Sequence, residues 1–265
     1  MRLLTIFLLF MFIGCASTED EEVVVEDARP AEEIYNEAQT SLEEKNYKAA
    51  ALTFLDVERL HPYSKWAVKA QIQAAYAHYK YEEYGDAIKI LERFVKLNPG
   101  NENITYAYYL IALSYYNQIS NVERDQKMTL LAKQALNDVI IRFPESDYAR
   151  DAKLKLDLVQ DHLAGKEMAV GRYYLKKRQY IGAINRFKKV VEEYPTTAQV
   201  EEALHRLTES YLALGIVPEA QKYAAVLGHN YPGSEWYQDS YDLLINGEMR
   251  EHGESGEDES WYEVF

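Results

Sequence analysis

Five short stretches of the chain close alike on proline: RLHP at Pro62, KLNP at Pro99, IRFP at Pro144, EEYP at Pro195 and HNYP at Pro232. Twelve residues before each proline stands an alanine, namely Ala50, Ala87, Ala132, Ala183 and Ala220. Eight residues before each stands Phe54, Leu91, Leu136, Phe187 or Ala224. This register leaves few folds open. A small residue lets two helix axes approach, an apolar residue four positions on fills the same face, and proline, which has no amide to donate, ends the helix.

The prolines are spaced by 37, 45, 51 and 37 residues. A tetratricopeptide unit is a helix-turn-helix of about 34 residues, so the shorter spacing is one such unit with a slightly longer closing loop. Upstream of each alanine the pattern predicts the first helix of a pair, over 31–44, 64–80, 104–118, 166–177 and 199–214. The matching small residue of that first helix falls 24 before the proline at Ala38, Ala75, Gly171 and Thr208. In the third repeat Ala112 takes the part if about eight residues are inserted around QISNVERDQ. The 51-residue spacing requires an extra helical stretch over 148–162, either continuous with the next helix or packed beside it. The expected fold is all-α, a tetratricopeptide-repeat superhelix of five helix-turn-helix repeats over 31–246, with first helices lining its concave side.

Tyrosine is abundant, at 23 of 265 residues. Its ring can fill seams between helices while its hydroxyl stays hydrated or hydrogen-bonded, and Tyr76, Tyr79, Tyr108, Tyr109, Tyr115 and Tyr116 fall on or near first helices. The net charge of −14 is concentrated in two flanks: 19–30 has six acids against Arg29, and 247–265 has seven against Arg250. With Arg2 counted, the stretch from 31 to 246 is left at −4. The flanks resist collapse, and no basic stripe with interleaved aromatics is present to neutralise nucleic-acid phosphates.

The N-terminus reads as a lipoprotein signal peptide over 1–14. Arg2 precedes the eleven-residue apolar run LLTIFLLFMFI, which is too short to span about 30 Å of hydrocarbon and lacks a basic stop-transfer flank. Ile-Gly-Cys-Ala then resembles a lipobox, although Phe12 stands where leucine is usual. Cys15, the only cysteine, is the expected lipidation site, and several acyl chains give stable anchoring where one is marginal. The lipidated cysteine and an acidic linker are assigned to 15–30, and 247–265 to an acidic tail expected to stay disordered.

No catalytic or metal motif emerges, so neither an enzyme nor a bound metal is expected, and no cofactor beyond the covalent lipid. The six histidines lack ligand spacing, and no phosphate-binding glycine loop is present. Two charged clusters stand out. In NVERDQKM, Asn121 or Asp125 can cap helix amides, or Arg124 or Asp125 can lock the insertion to the scaffold or to a partner. Lys176, Lys177 and Arg178, with Arg172, Arg186, Lys188 and Lys189, form the strongest positive patch. It is either a set of ordinary helix faces or a docking surface for an acidic partner.

The lipobox, the irregular repeat spacings, the stretch NPGNENITYAYYLIALSYYNQI with the following ERDQ, and the block GRYYLKKRQYIGAINRFKKVVEEYPTTAQVEEALHRLTESYLALG together resemble the BamD family of tetratricopeptide lipoproteins in the outer-membrane β-barrel assembly (BAM) machinery. The resemblance runs from Cys15 to about residue 230, leaving 247–265 outside it. It implies a lipid-anchored protein on the periplasmic face of a Gram-negative outer membrane. Such a protein binds the POTRA region of BamA and other BAM lipoproteins, and helps deliver unfolded outer-membrane proteins. Carried over by that resemblance, Asn185, Arg186, Glu202 and Arg206 are candidates for the BamA side. Tyr35, Tyr63, Tyr76, Tyr79 and Arg93 are candidates for substrate or accessory-lipoprotein contacts. The alternative for the same fold is a pilotin or a cell-envelope coordination factor.

Overall fold

The computed structural model describes residues 29–246, which form eleven α-helices. Five antiparallel pairs account for ten of them: α1 (Ala31–Glu43) with α2 (Tyr47–Leu60), α3 (Lys65–Lys80) with α4 (Tyr84–Leu97), α5 (Ile104–Tyr116) with α6 (Lys127–Arg142), α7 (Asp147–Lys176) with α8 (Tyr180–Glu193), and α9 (Gln199–Ala213) with α10 (Val217–Asn230). A single helix, α11 (Glu235–Asn246), closes the stack against α9 and α10. The proline register places five pairs but not α11, which is followed by no sixth proline.

Each second helix ends in the same way, two residues short of its proline. The residue between, His61, Asn98, Phe143, Tyr194 or Tyr231, has φ between −126° and −134° and ψ between 48° and 60°. The φ lies in the range a following proline leaves to its predecessor, and the positive ψ has left the helical region, so the helix stops there. The residue's amide still donates to the carbonyl four back, on Val57, Phe94, Val139, Val190 or Leu227. Those five side chains are fully buried, so the last hydrogen bond of the helix and its last core contact come from the same residue. Ser64 and Ser146 then accept from Trp66 and Ala149 amides and start the next helix.

Within pairs, four of the five turns also share one geometry. Lys45, Glu82, Arg178 and Gly215 occupy the left-handed region with φ of 61°, 65°, 57° and 74°. The amides after them reach back to Ser41, His78, Tyr174 and Tyr211, closing Schellman motifs. The third pair lacks this turn, because the inserted segment 117–126 replaces it.

All five alanines of the register are fully buried, as are Ala38, Ala75, Ala112 and Thr208, and Gly171 is buried too. Adjacent first helices touch, α1 on α3, α3 on α5, α5 on α7 and α7 on α9, whereas no two second helices approach closely. The stack therefore curves with its first helices on the inside. The extra stretch before the fourth repeat is continuous with that repeat's first helix, giving the 30 residues of α7. No described helix is long and apolar enough to cross a membrane.

A tyrosine belt and a C-terminal ionic network

On the inner face, α3 presents Tyr76 and Tyr79, and α5 presents Tyr106 and Tyr109, each pair three residues apart and so on one side of its helix. Tyr148, at the start of α7, closes the group: its ring centroid lies 5.8 Å from that of Tyr106 and 4.9 Å from that of Tyr109. Burial, followed by the neighbouring Tyr76, Tyr148 and Tyr79, pushes the Tyr106 hydroxyl well above its usual range. Tyr109 is raised first by burial and then by donating to Asp151, which also holds Lys155 at 2.8 Å. Tyr79 accepts from Asn117 Nδ2 at 2.9 Å. These rings are half-buried or exposed at one edge, so the belt offers flat apolar faces beside fixed donors and acceptors. Such a surface suits an extended segment carrying aromatic side chains.

Of the residues predicted for this role, the structure brings together only Tyr76 and Tyr79. Tyr35 packs between Phe54 and Trp66, at centroid distances of 5.3 and 4.8 Å, inside the N-terminal core. Tyr63 stands fully exposed in the turn before α3. Arg93 lies on second helix α4 and pairs at 2.5 Å with Glu58 of α2, tying two second helices on the outer side. Tyr106, Tyr148 and Asp151 were not among the predicted residues. The repeated tyrosine pair at i and i+3, in both YAHY and YAYY, is the sequence signal that points to the first of them.

The C-terminal candidates form two linked groups. Asn185 and Arg186 line an open cleft of about 320 Å³ with Tyr174, Gly182 and Lys189. Two of these lining residues are held by Glu167, which accepts from Arg186 at 2.9 Å and from Lys189 at 2.6 Å. Burial raises the Glu167 carboxyl, but the two cations outweigh it and hold its pKa below the ordinary 4.5. One helical turn on, Arg172 grips Glu202 with two bonds of 3.0 Å, and Arg206 donates to Glu202 and Glu209. Arg206 also lies over the Trp236 ring at 5.3 Å, and His205 packs at a tilt against that ring, centroids 5.3 Å apart, while sharing a 2.9 Å bond with Ser240. Burial opposes the Arg206 charge, yet Glu202 and Glu209 overcome it and keep the guanidinium protonated. Trp236 and Ser240 belong to α11, so the network locks the closing helix onto α9. Neither residue was foreseen, because α11 falls outside the repeat register.

The positive patch is therefore divided. Arg172, Arg186 and Lys189 are spent in internal ion pairs, and Lys188 rests on the Tyr211 ring at 5.7 Å. Lys176, Lys177 and Arg178 remain exposed at the α7–α8 turn. In the insertion, neither Arg124 nor Asp125 makes the main lock. Gln126 Nε2 donates to the carbonyls of Asn121, Val122 and Arg124, and Lys166 of α7 reaches the Glu123 carbonyl at 2.8 Å. Asp125 accepts from the amide of Lys127, the first residue of α6, whereas Asn121 accepts from that of Glu123 inside the non-helical insertion and caps no helix; the N-cap of α6 is Gln126, whose side chain makes no cap bond.

Among the described residues one group, His78, Glu83 and Asp86, brings three possible metal donors together. Its atoms are already engaged: His78 Nδ1 bonds Glu83 at 2.7 Å across the α3–α4 turn, and Asp86 holds Lys89 at 2.9 Å within α4. Cys15 lies outside the described residues, as do the signal peptide, most of the linker and the tail.

The outer membrane lipoprotein family YfiO matches this chain over residues 27–227. The outer membrane protein assembly factor BamD of Caulobacter vibrioides is 46% identical over 237 residues, covering 89% of this chain and 78% of that protein. Its counterpart from Rickettsia prowazekii is 47% identical over 233 residues, covering 88% and 92%. That of Neisseria meningitidis is 36% identical over 244 residues, covering 88% and 91%.

Proposed function

Because the chain belongs to the outer membrane lipoprotein family YfiO, of which the BamD assembly factors are its relatives, we propose that it is the scaffold on which the BAM complex brings BamA and unfolded outer-membrane proteins together. It is a non-catalytic outer-membrane lipoprotein on the periplasmic face, and the BAM complex is its setting. The observation that carries the reading is the likeness to the BamD proteins, at 46% and 47% identity over 89% and 88% of this chain. Two surfaces divide the work. The tyrosine belt on α3, α5 and α7 holds the extended, aromatic last strand of a substrate, at an affinity low enough for release. The cleft of Asn185 and Arg186, with the neighbouring Glu202 and Arg206 network, faces the POTRA region of BamA. Cys15 carries the lipid, and 15–30 is the spacer from the membrane.

Affinity purification of the natively lipidated protein from detergent-solubilised envelopes tests this. BamA is expected at near-equal amount. A secretin or a cell-wall enzyme in its place would support the pilotin or envelope-coordination alternative and reject this one.

A further inference from the structure

In a stack of antiparallel pairs every first helix ends on the same edge, and α11, which follows a second helix, ends there too. That edge is unusually apolar in its C-terminal half. Tyr173 and Ile181 flank the α7–α8 turn at 60% and 69% exposure, Ile216 and Val217 follow at the α9–α10 turn, and Tyr241 and Ile245 end the row on α11. Beside Tyr173 and Ile181 stand Lys176, Lys177 and Arg178, which form no ion pair among the described residues. This is a cationic, apolar strip in a chain whose net charge is −14.

We propose that this strip is the docking site of the chain's own residues 247–265. Seven acids against Arg250 give that segment the complementary charge, with Glu254, Glu257, Asp258 and Glu259 grouped just ahead of Trp261, Tyr262, Val264 and Phe265. The strip has the same two parts, three cations and a pair of uncovered apolar side chains. The reach is sufficient. The segment leaves α11 on the correct edge, and α11 to α7 is two steps between neighbouring first helices, about 20 Å at the usual interaxial distance. Fourteen residues span up to about 45 Å, which places residue 261 at the α7–α8 turn with slack. Tethering supplies an effective concentration in the millimolar range, so weak complementary contacts are enough. The segment thereby competes with anything else that docks on this edge, and it does so whichever partner the stack serves.

The test is a benzophenone amino acid in place of Ile181 in the full-length protein. Irradiation is expected to give an adduct to peptide 254–265 whose yield is unchanged on tenfold dilution. The yield is expected to fall at least fivefold when Lys176, Lys177 and Arg178 are changed to Glu, and again in a Trp261→Ala, Phe265→Ala variant, which leaves the stack untouched. The same photoprobe at Leu97, exposed on α4, is expected to give no such adduct. Equal tail adducts from both positions, adducts from position 181 confined to other segments, or adducts to a second copy that fade on dilution would overturn the proposal.

Discussion

A Cβ added to Gly171 of α7 would stand 2.4 Å from Cε1 of Phe187 on α8, so the ring occupies the space a side chain would need. The same position is Ala38, Ala75, Ala112 or Thr208 in the other repeats, and the position facing it is Phe54, Leu91, Leu136 or Ala224. The smallest residue meets phenylalanine and the largest meets alanine.

Gly171→Ala is accordingly expected to destabilise the protein by about 1–3 kcal/mol through overpacking, in spite of alanine's better helix propensity. Phe187→Leu in the same chain is expected to recover part of that loss. Urea denaturation of the two single variants and the double one checks this, and strictly additive losses would show that the two sites do not share volume.

The Glu167 cluster predicts an asymmetry. Its carboxylate side chain is 11% exposed, whereas those of Arg186 and Lys189 are 41% and 39% exposed. Removing Glu167 leaves cations that can rehydrate, at a cost of about 1–2 kcal/mol. Removing both cations leaves a buried carboxylate unpaired and costs about 3–5 kcal/mol. Equal melting-temperature losses for Glu167→Ala and Arg186→Ala/Lys189→Ala would contradict this.

The same carboxyl sets a pH dependence. Its folded pKa lies below the ordinary 4.5, so the unfolded chain binds the proton more readily. The stabilisation is therefore complete above about pH 4.5 and is lost as the pH falls through the folded value. His162 acts at higher pH: burial, opposed by the Ser120 backbone, lowers its pKa below 6.5, so acidification below that value destabilises the fold as the buried ring is forced to protonate. Melting curves of His162→Gln against the parent from pH 7 to about pH 3 separate the two, because the substitution removes only the upper slope.

Gly215→Ala, at φ 74° with open space around the Cβ position, is expected to cost about 1 kcal/mol from backbone strain alone. Glu82→Gly, at the equivalent turn, is expected to gain up to about 1 kcal/mol. Chemical denaturation measures both, and a stabilising Gly215→Ala would contradict the turn assignment.

Tyr79→Ala with Tyr109→Ala is expected to weaken binding of a peptide from the last strand of an outer-membrane β-barrel protein about tenfold, or about 1.4 kcal/mol. Arg93→Ala, on the outer side, is expected to leave it unchanged. Fluorescence anisotropy gives both values. At the membrane, Cys15→Ser is expected to move the protein to the soluble fraction, and retention through a carbonate wash would count against lipid anchoring there.

The repeat unit, its count and its buried small residues were legible in the sequence, because proline, alanine and an apolar residue at fixed spacing act through local geometry that any five copies must share. The outer-membrane lipoprotein class was expected from the Gly14-Cys15 junction, and the family match over residues 27–227 agrees with that class. Only the tertiary structure decided what depends on contacts between residues far apart in the chain. Tyr148 joins Tyr106 because α7 starts beside α5. Arg93 turns to the outer side because first helices pack closely and second helices do not. Trp236 completes the Arg206 network because a lone helix closes the stack. Periodicity determines which face of a helix is buried, but the curvature of the whole stack determines which rings then share the inner surface.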